Sequence, residues 1–196
     1  MNSAEQLRDK HRRARAQITD LIQTDHAQLL CKQILQLPEY CGALNIASYI
    51  AIRGEIDTLP LMQAAASGAK NFYLPVLRGE QMLFARWQVG DELHKKGFGL
   101  LEPASTDYIE PIEIDLVLAP LVAFDADCNR IGQGGGYYDR TFAHRKQVQG
   151  SLKQQRPVLL GVAHECQRES VLQPQPWDVP LDLVVTEGSI YRRDNN

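Results

Sequence analysis

Asp115-Leu116-Val117-Leu118-Ala119-Pro120-Leu121-Val122-Ala123-Phe124, followed through Asp125-Ala126-Asp127 by Arg130-Ile131-Gly132-Gln133-Gly134-Gly135-Gly136-Tyr137-Tyr138-Asp139-Arg140, is the stretch whose reading decides the fold. Its first part is a continuous apolar run rather than an alternation, as expected of a central strand buried on both faces. A glycine cluster and then a helix starting near Tyr137 or Tyr138 follow. In open α/β sheets ligands bind beyond the carboxyl ends of the strands. Four glycines in five positions let backbone N–H groups converge on an anion. The start of the next helix adds partial positive charge. A phosphate cradle is the expectation; a mobile turn is the plain alternative for such a cluster. Tyr137 stands where the dinucleotide GxGxxG pattern needs glycine, and no GxxxxGK[ST] occurs, so hydride transfer and the P-loop lose ground.

Outward from this stretch, strands and helices alternate. Residues 3 to 37 read as helical, with Ile18, Leu21, Ile22, Leu29, Leu30, Ile34 and Leu35 at helical spacing, Thr24 or Asp25 as the cap of a second helix, and Pro38 as its stop. Ala43 to Ile50 reads as a buried strand with Arg53-Gly54-Glu55 as its exit loop. Asp57 or Thr58 then caps a helix ending around Ser67-Gly68. Asn71 to Leu77 and Gln81 to Trp87 read as strands joined by a turn at Arg78-Gly79, and Val89 to Pro111 as mostly loop. Val158 to Ala163 and Leu183 to Thr186 complete the apolar runs. The fold class is α/β: an open, mostly parallel sheet with helices on both faces, a Rossmann-like three-layer single domain over residues 1–196 with a helical N-terminus.

Composition narrows the function classes. At 196 residues the chain can bury a core without staples. A net charge of −3 gives no global reason to expect nucleic acid or anionic membrane as partner. Cys31, Cys41, Cys128 and Cys166 show no CxxC spacing and no tight Cys/His grouping, so free thiols in a reducing compartment are expected and a zinc site is not. The polar, basic start is no signal peptide, and no apolar run reaches membrane-spanning length. A cytoplasmic protein is expected.

Taken together, Leu118 to Asp125 and Arg130 to Arg140 resemble the signature of the 5-formyltetrahydrofolate cyclo-ligase family, the methenyltetrahydrofolate synthetases. Other landmarks agree in order: Leu7-Arg8, Gly54-Glu55-Ile56-Asp57-Thr58, Tyr73-Leu74-Pro75-Val76, Leu101-Glu102-Pro103, Leu160-Gly161-Val162-Ala163 and Trp177-Asp178-Val179-Pro180. The resemblance implies ATP- and Mg²⁺-dependent closure of 5-formyltetrahydrofolate to 5,10-methenyltetrahydrofolate, releasing ADP and phosphate through a phosphorylated formyl (iminium phosphate) intermediate. It implies a reduced folate and ATP as partners, and a monomer is expected.

Residue by residue, the resemblance assigns Gly132, Gln133, Gly134, Gly135, Gly136, Tyr137 and Tyr138 to ATP, with Arg8 and Arg130 neutralising phosphates. It assigns Ile50, Glu55 and Gln133 to Tyr137 to the folate, and Asp139 and Asp182 to Mg²⁺. Each has a plain reading beside it. Asp139 suits a helix's first turn without any metal, Tyr138 could anchor the loop in the core, and Asp178 or Asp182 could serve a local turn. Ile50 reads nearly as well as an ordinary core residue, and Phe84, Trp87 and Phe98 read as core before they read as lining of a folate pocket. Lys95 and Lys96 read as solvated loop before they read as contacts for a glutamate tail, and His164 as a satisfied or exposed histidine. The family's first basic position is Ala4 here, and Lys10 or Arg12 are the candidates to replace it. A sugar-phosphate isomerase or acyl-CoA transferase on a similar architecture, and a nucleotide- or folate-binding module without turnover, stay open on the residues alone.

Overall fold

The computed structural model describes residues 3–66, 68–147 and 156–194. Five α-helices and twelve strands are defined among them. The helices are α1 (Ala4–Ala16), α2 (Asp20–Ile34), α3 (Pro38–Cys41), α4 (Leu59–Ala64) and α5 (Tyr137–Thr141). The strands are β1 (Asn45–Ala47), β2 (Asn71–Arg78), β3 (Gln81–Trp87), β4 (Leu93–Lys95), β5 (Leu101–Pro103), β6 (Tyr108–Ile109), β7 (Leu116–Pro120), β8 (Ala123–Phe124), β9 (Arg130–Ile131), β10 (Val158–Val162), β11 (Leu183–Val185) and β12 (Ile190–Arg192).

The main sheet has eight strands in the order β12-β11-β10-β7-β1-β2-β3-β6. Its five central strands, β11 to β2, are parallel, while β12, β3 and β6 each pair antiparallel with the strand on their inner side. The α/β, mostly parallel expectation therefore holds. The apolar run at 116–120 explains the centre. Leu116 and Leu118 join a core cluster with Leu30 and Ile34 of α2, Tyr40 of α3 and Leu61 and Met62 of α4. Val117 and Ala119 join the opposite cluster with Phe142, Val179 and Leu181. Both faces of β7 are buried, and each fully buried aliphatic side chain contributes about 1.5–3 kcal/mol. The second face is thinly helical: α5 spans five residues, and irregular chain around Cys128 and Leu181 covers the rest.

Several boundaries depart from the sequence reading. The helical start divides at Thr19, whose hydroxyl accepts from Ile22 N, so Thr24 and Asp25 lie inside α2. α4 ends at Ala64, and Ser67 lies outside the described residues. The 115–124 run breaks after Pro120: β8 leaves the main sheet and pairs with β9, which turns the chain into the glycine loop. Residues 89–111, expected as loop, contain the β4–β5 hairpin and the β6 edge strand.

Candidate active site

β1 and β7 are parallel neighbours, with Ile46 opposite Leu116 and Ala47 opposite Val117. Their carboxyl ends therefore open on the same side of the sheet, and the segments leaving them build the site. After β1 the chain reverses through Arg53 and Gly54, both left-handed with φ of 52° and 73°. That turn folds Glu55 inward to 7% exposure. A Cβ on Gly54 would lie 3.3 Å from Gln23 Nε2, so glycine suits the position on space as well as on torsion. Glu55 accepts from Ile52 N at 3.2 Å through Oε2 and from Gln133 Nε2 at 3.2 Å through Oε1. Burial pushes its carboxyl up, against the Ile52 N–H, Arg15 and Gln133, which favour the carboxylate. The Tyr49 and Tyr138 phenols are pushed up too, by burial first and then by the charge of Glu55.

Downstream of β9 the glycine loop spans Gly132 to Gly136. Among the described residues no acceptor meets the backbone N–H groups of Gln133, Gly134, Gly135 or Gly136. Gly134 and Gly136 have φ of 104° and 66°, and a Cβ on Gly136 would lie 2.8 Å from Arg140 Nη1. A Cβ on Gly132 would meet nothing within 4 Å, so that flank is open. Four unpartnered N–H groups beside a helix start make an anion cradle, although α5 itself is short.

One face of α1 brings cations to this loop. Arg8 Nε donates to the Gly132 carbonyl at 2.9 Å, and Arg12 Nη2 to Gln133 Oε1 at 3.1 Å. Arg15, one turn further on, is buried, with Nη1 donating to the Leu121 carbonyl at 3.3 Å; its Nε and Nη2 meet no acceptor among the described residues. Burial lowers the Arg15 pKa, and the Glu55 carboxylate opposes this. Lys10 points away and pairs with Glu169.

The two carboxylates assigned to metal differ. Asp139 Oδ1 accepts from Arg130 Nη2 at 2.6 Å and Val179 N at 2.9 Å, while no described group meets Oδ2. Arg130 also donates to the Val179 carbonyl, tying the Trp177–Pro180 segment to the loop. Asp182 has both oxygens engaged: Arg145 Nη2 at 2.7 and 2.8 Å, and Leu159 N on Oδ2 at 2.7 Å. Asp178 serves a local turn, accepting from Gln175 N.

Tyr137 donates to the Gly79 carbonyl at 3.0 Å and stacks beneath Arg140. With Leu77, Arg78, Lys96, Leu100 and Glu102 it lines a cleft of about 320 Å³ between the loop and the β2–β3 hairpin. Tyr138 is partly buried against the core. Ile50 packs at the edge of the α2-side core, and Phe84 and Trp87 are core residues. The side chain of Phe98 lies outside the described ones. Lys95 is exposed. His164 is fully buried rather than exposed.

The structure thus gathers Arg8, Glu55, the glycine loop, Tyr137 and Asp139, with Asp182 held in an ion pair of its own. Sequence reading left out Arg15, Arg145 and Tyr49. The spacing of Arg8, Arg12 and Arg15 at i, i+4 and i+7 was the available signal for one helix face. For Arg145 and Tyr49 no local pattern existed.

Comparison with known proteins agrees with this architecture. A profile of the 5-formyltetrahydrofolate cyclo-ligase family matches residues 1–187. The 5-formyltetrahydrofolate cyclo-ligase of Haemophilus influenzae is 38% identical over 187 residues, covering 92% of this chain and 96% of the relative. That of Escherichia coli is 31% identical over 185 residues, covering 92% and 98%. The NMR structure of Aquifex aeolicus 5,10-methenyltetrahydrofolate synthetase superposes with a TM-score of 0.82 at 29% identity, covering 98% of this chain and 94% of that one.

Proposed function

The chain belongs to the 5-formyltetrahydrofolate cyclo-ligase family, and from that premise we propose that it closes 5-formyltetrahydrofolate to 5,10-methenyltetrahydrofolate, consuming ATP, in the space between the glycine loop and Glu55. One observation carries the reading: a loop whose four N–H groups meet no acceptor among the described residues is hydrogen-bonded through Gln133 to a buried carboxylate. An anion cradle and an acceptor for neutral N–H donors are what phosphoryl transfer to a folate requires side by side.

The formamide oxygen of the substrate is a poor leaving group. Its attack on the γ-phosphorus of ATP releases ADP and leaves an iminium phosphate. N10 then attacks the activated carbon and loses its proton, and phosphate departs as the amidinium of the product forms. The protein's part is alignment, charge neutralisation and water exclusion. Gly132 to Tyr138 hold the phosphates through backbone N–H groups, with Arg8 and Arg12 beside them and Arg130 behind. Glu55 accepts from the pterin's adjacent N–H donors, Ile50 supplies an apolar wall, and Tyr137 borders the cleft that Lys96 also lines.

A magnesium ion bound with ATP takes only one or two protein carboxylates. Asp139 fits that need, since Oδ2 is unengaged and its side chain is 24% exposed. Asp182 would serve once Arg145 released it, because both its oxygens are engaged, by Arg145 and by Leu159 N. The ion would supply charge neutralisation at the transferred phosphoryl group.

The test is absorbance in the methenyl-folate band on mixing protein, Mg·ATP and 5-formyltetrahydrofolate, with an ATP-free control. An ATP-dependent rise is expected. Protein that binds both ligands by thermal shift yet produces no rise would instead be a binding module.

A further inference from the structure

A group of side chains on the far side of the Gly54 turn takes no part in this chemistry. His26 on α2, His164 just after β10 and Glu187 in the β11–β12 turn present one donor atom each, all within 4.8 Å of one another. His26 Nδ1 lies 2.9 Å from His164 Nδ1 and 3.6 Å from Glu187 Oε1. We propose that these three residues form a transition-metal site, with Zn²⁺ as the fitting ion and a fourth position left for water or an external ligand.

Tetrahedral zinc holds nitrogen and oxygen donors at about 2.0–2.1 Å, which puts donors about 3.3 Å apart. Two separations, 2.9 and 3.6 Å, straddle that value and the third lies within 4.8 Å, so side-chain adjustments of up to about 1.5 Å would complete the geometry. The set is also held before any ion arrives. Both Glu187 oxygens accept from Glu165 N, at 3.2 and 3.0 Å, which aims the carboxylate. His164 is fully buried, and its Nε2 meets no acceptor among the described residues. Its Nδ1 lies against a second imidazole, that of His26. The imidazole planes are tilted by 48° with centroids 5.1 Å apart, so the rings meet at their edges, without stacking.

Two imidazoles and a carboxylate suit zinc-like ions and suit Mg²⁺ poorly, which takes oxygen donors. The site is therefore chemically distinct from Asp139. Its ligands come from three elements, so an ion would tie α2 to the turns after β10 and β11. Gln23, one helical turn before His26, donates to the Gly54 carbonyl at 3.4 Å. Occupancy would consequently stiffen the support of the turn that carries Glu55.

Untagged full-length protein, stripped with a chelator, would be titrated with Co²⁺ as a visible probe and then with Zn²⁺ as competitor. One Co²⁺ per chain with absorption of tetrahedral intensity, displaced by Zn²⁺, and a higher Tm with Zn²⁺ are expected. His26→Gln and Glu187→Gln, both at partly exposed positions, should each weaken binding at least about 10-fold, while Asp139→Asn leaves it unchanged. The proposal is overturned by a weak octahedral spectrum, by the lack of saturation at one ion per chain, by unchanged affinity in folded His26→Gln protein, or by loss of the signal in Asp139→Asn.

Discussion

Gln133 and Glu55, 78 residues apart, meet through a hydrogen bond of 3.2 Å from Nε2 to Oε1. The bond links the glycine loop leaving β9 to the turn leaving β1, and so couples the proposed phosphate and folate sites. Its acceptor is a carboxyl that burial pushes up, against the opposing Ile52 N–H, Arg15 and Gln133.

Replacing Glu55 by Gln tests both roles. Because the folded-state pKa is raised, the folded protein binds the proton more tightly than the unfolded chain. The stability this gives is fully present below the unfolded carboxylate pKa and is lost as pH rises through the folded one. Glu55→Gln removes that loss, so its Tm should equal or exceed that of the parent at neutral pH, with the gap closing as pH falls. The folate KM should rise while the ATP KM changes little. A defect confined to ATP would remove Glu55 from the pterin site.

Glycine substitutions separate strain from access. Gly136→Ala places a Cβ in a left-handed residue against Arg140 and should cost about 1–2 kcal/mol, read as a lower Tm. Gly132→Ala meets nothing in the fold, so its stability should change by no more than about 0.5 kcal/mol. It should nonetheless raise the KM for ATP by crowding the cradle. Unchanged kinetics in Gly132→Ala would mean that phosphate approaches from elsewhere.

With Ala4 in the first basic position, Arg12 is placed to supply the missing charge, since it reaches Gln133 while Lys10 is tied to Glu169. Arg12→Ala should raise the ATP KM by about 10-fold or more, since a lost hydrogen bond to a charged group costs about 1.5–3 kcal/mol. Lys10→Ala should leave it unaltered. The reverse pattern would reassign the contact.

The two aspartates should separate on different axes. Asp139→Asn is expected to lower Mg·ATP-dependent turnover by about 10–100-fold while folate binding persists. Asp182→Asn is expected first to lose stability, by about 1–3 kcal/mol and read as a lower Tm, because Arg145 is buried and loses its charged partner. Equal Tm values for Asp182→Asn and the parent would show that Arg145 is free to leave, and would restore Asp182 as a metal ligand.

Much of the sheet was legible because its strands are buried on both faces. Leu116 to Pro120, Val158 to Val162 and Leu183 to Val185 are uninterrupted apolar runs, and such runs carry their own signal. The edges were not legible: Ile190-Tyr191-Arg192 and Tyr108-Ile109 are short, partly exposed, and become strands only through their neighbours. The division of the first helices at Thr19 was missed because Thr24 and Asp25 are equally good caps locally, and packing of α2 on the sheet chose between them.

By itself the sequence determined the α/β class, the glycine loop at a strand's carboxyl end, and the cationic first helix, since each depends on residue types close together in the chain. Only the tertiary structure decided which cations serve the loop, that Asp182 is held by Arg145, that Glu55 is buried against Gln133, and that His26, His164 and Glu187 converge. Those relations join residues tens of positions apart. For Glu55 with Gln133 and for His164 with Glu187 the physical cause is the parallel pairing of β1, β7, β10 and β11, which turns four strand exits toward one end of the sheet, whereas Asp182 stands at the entry to β11.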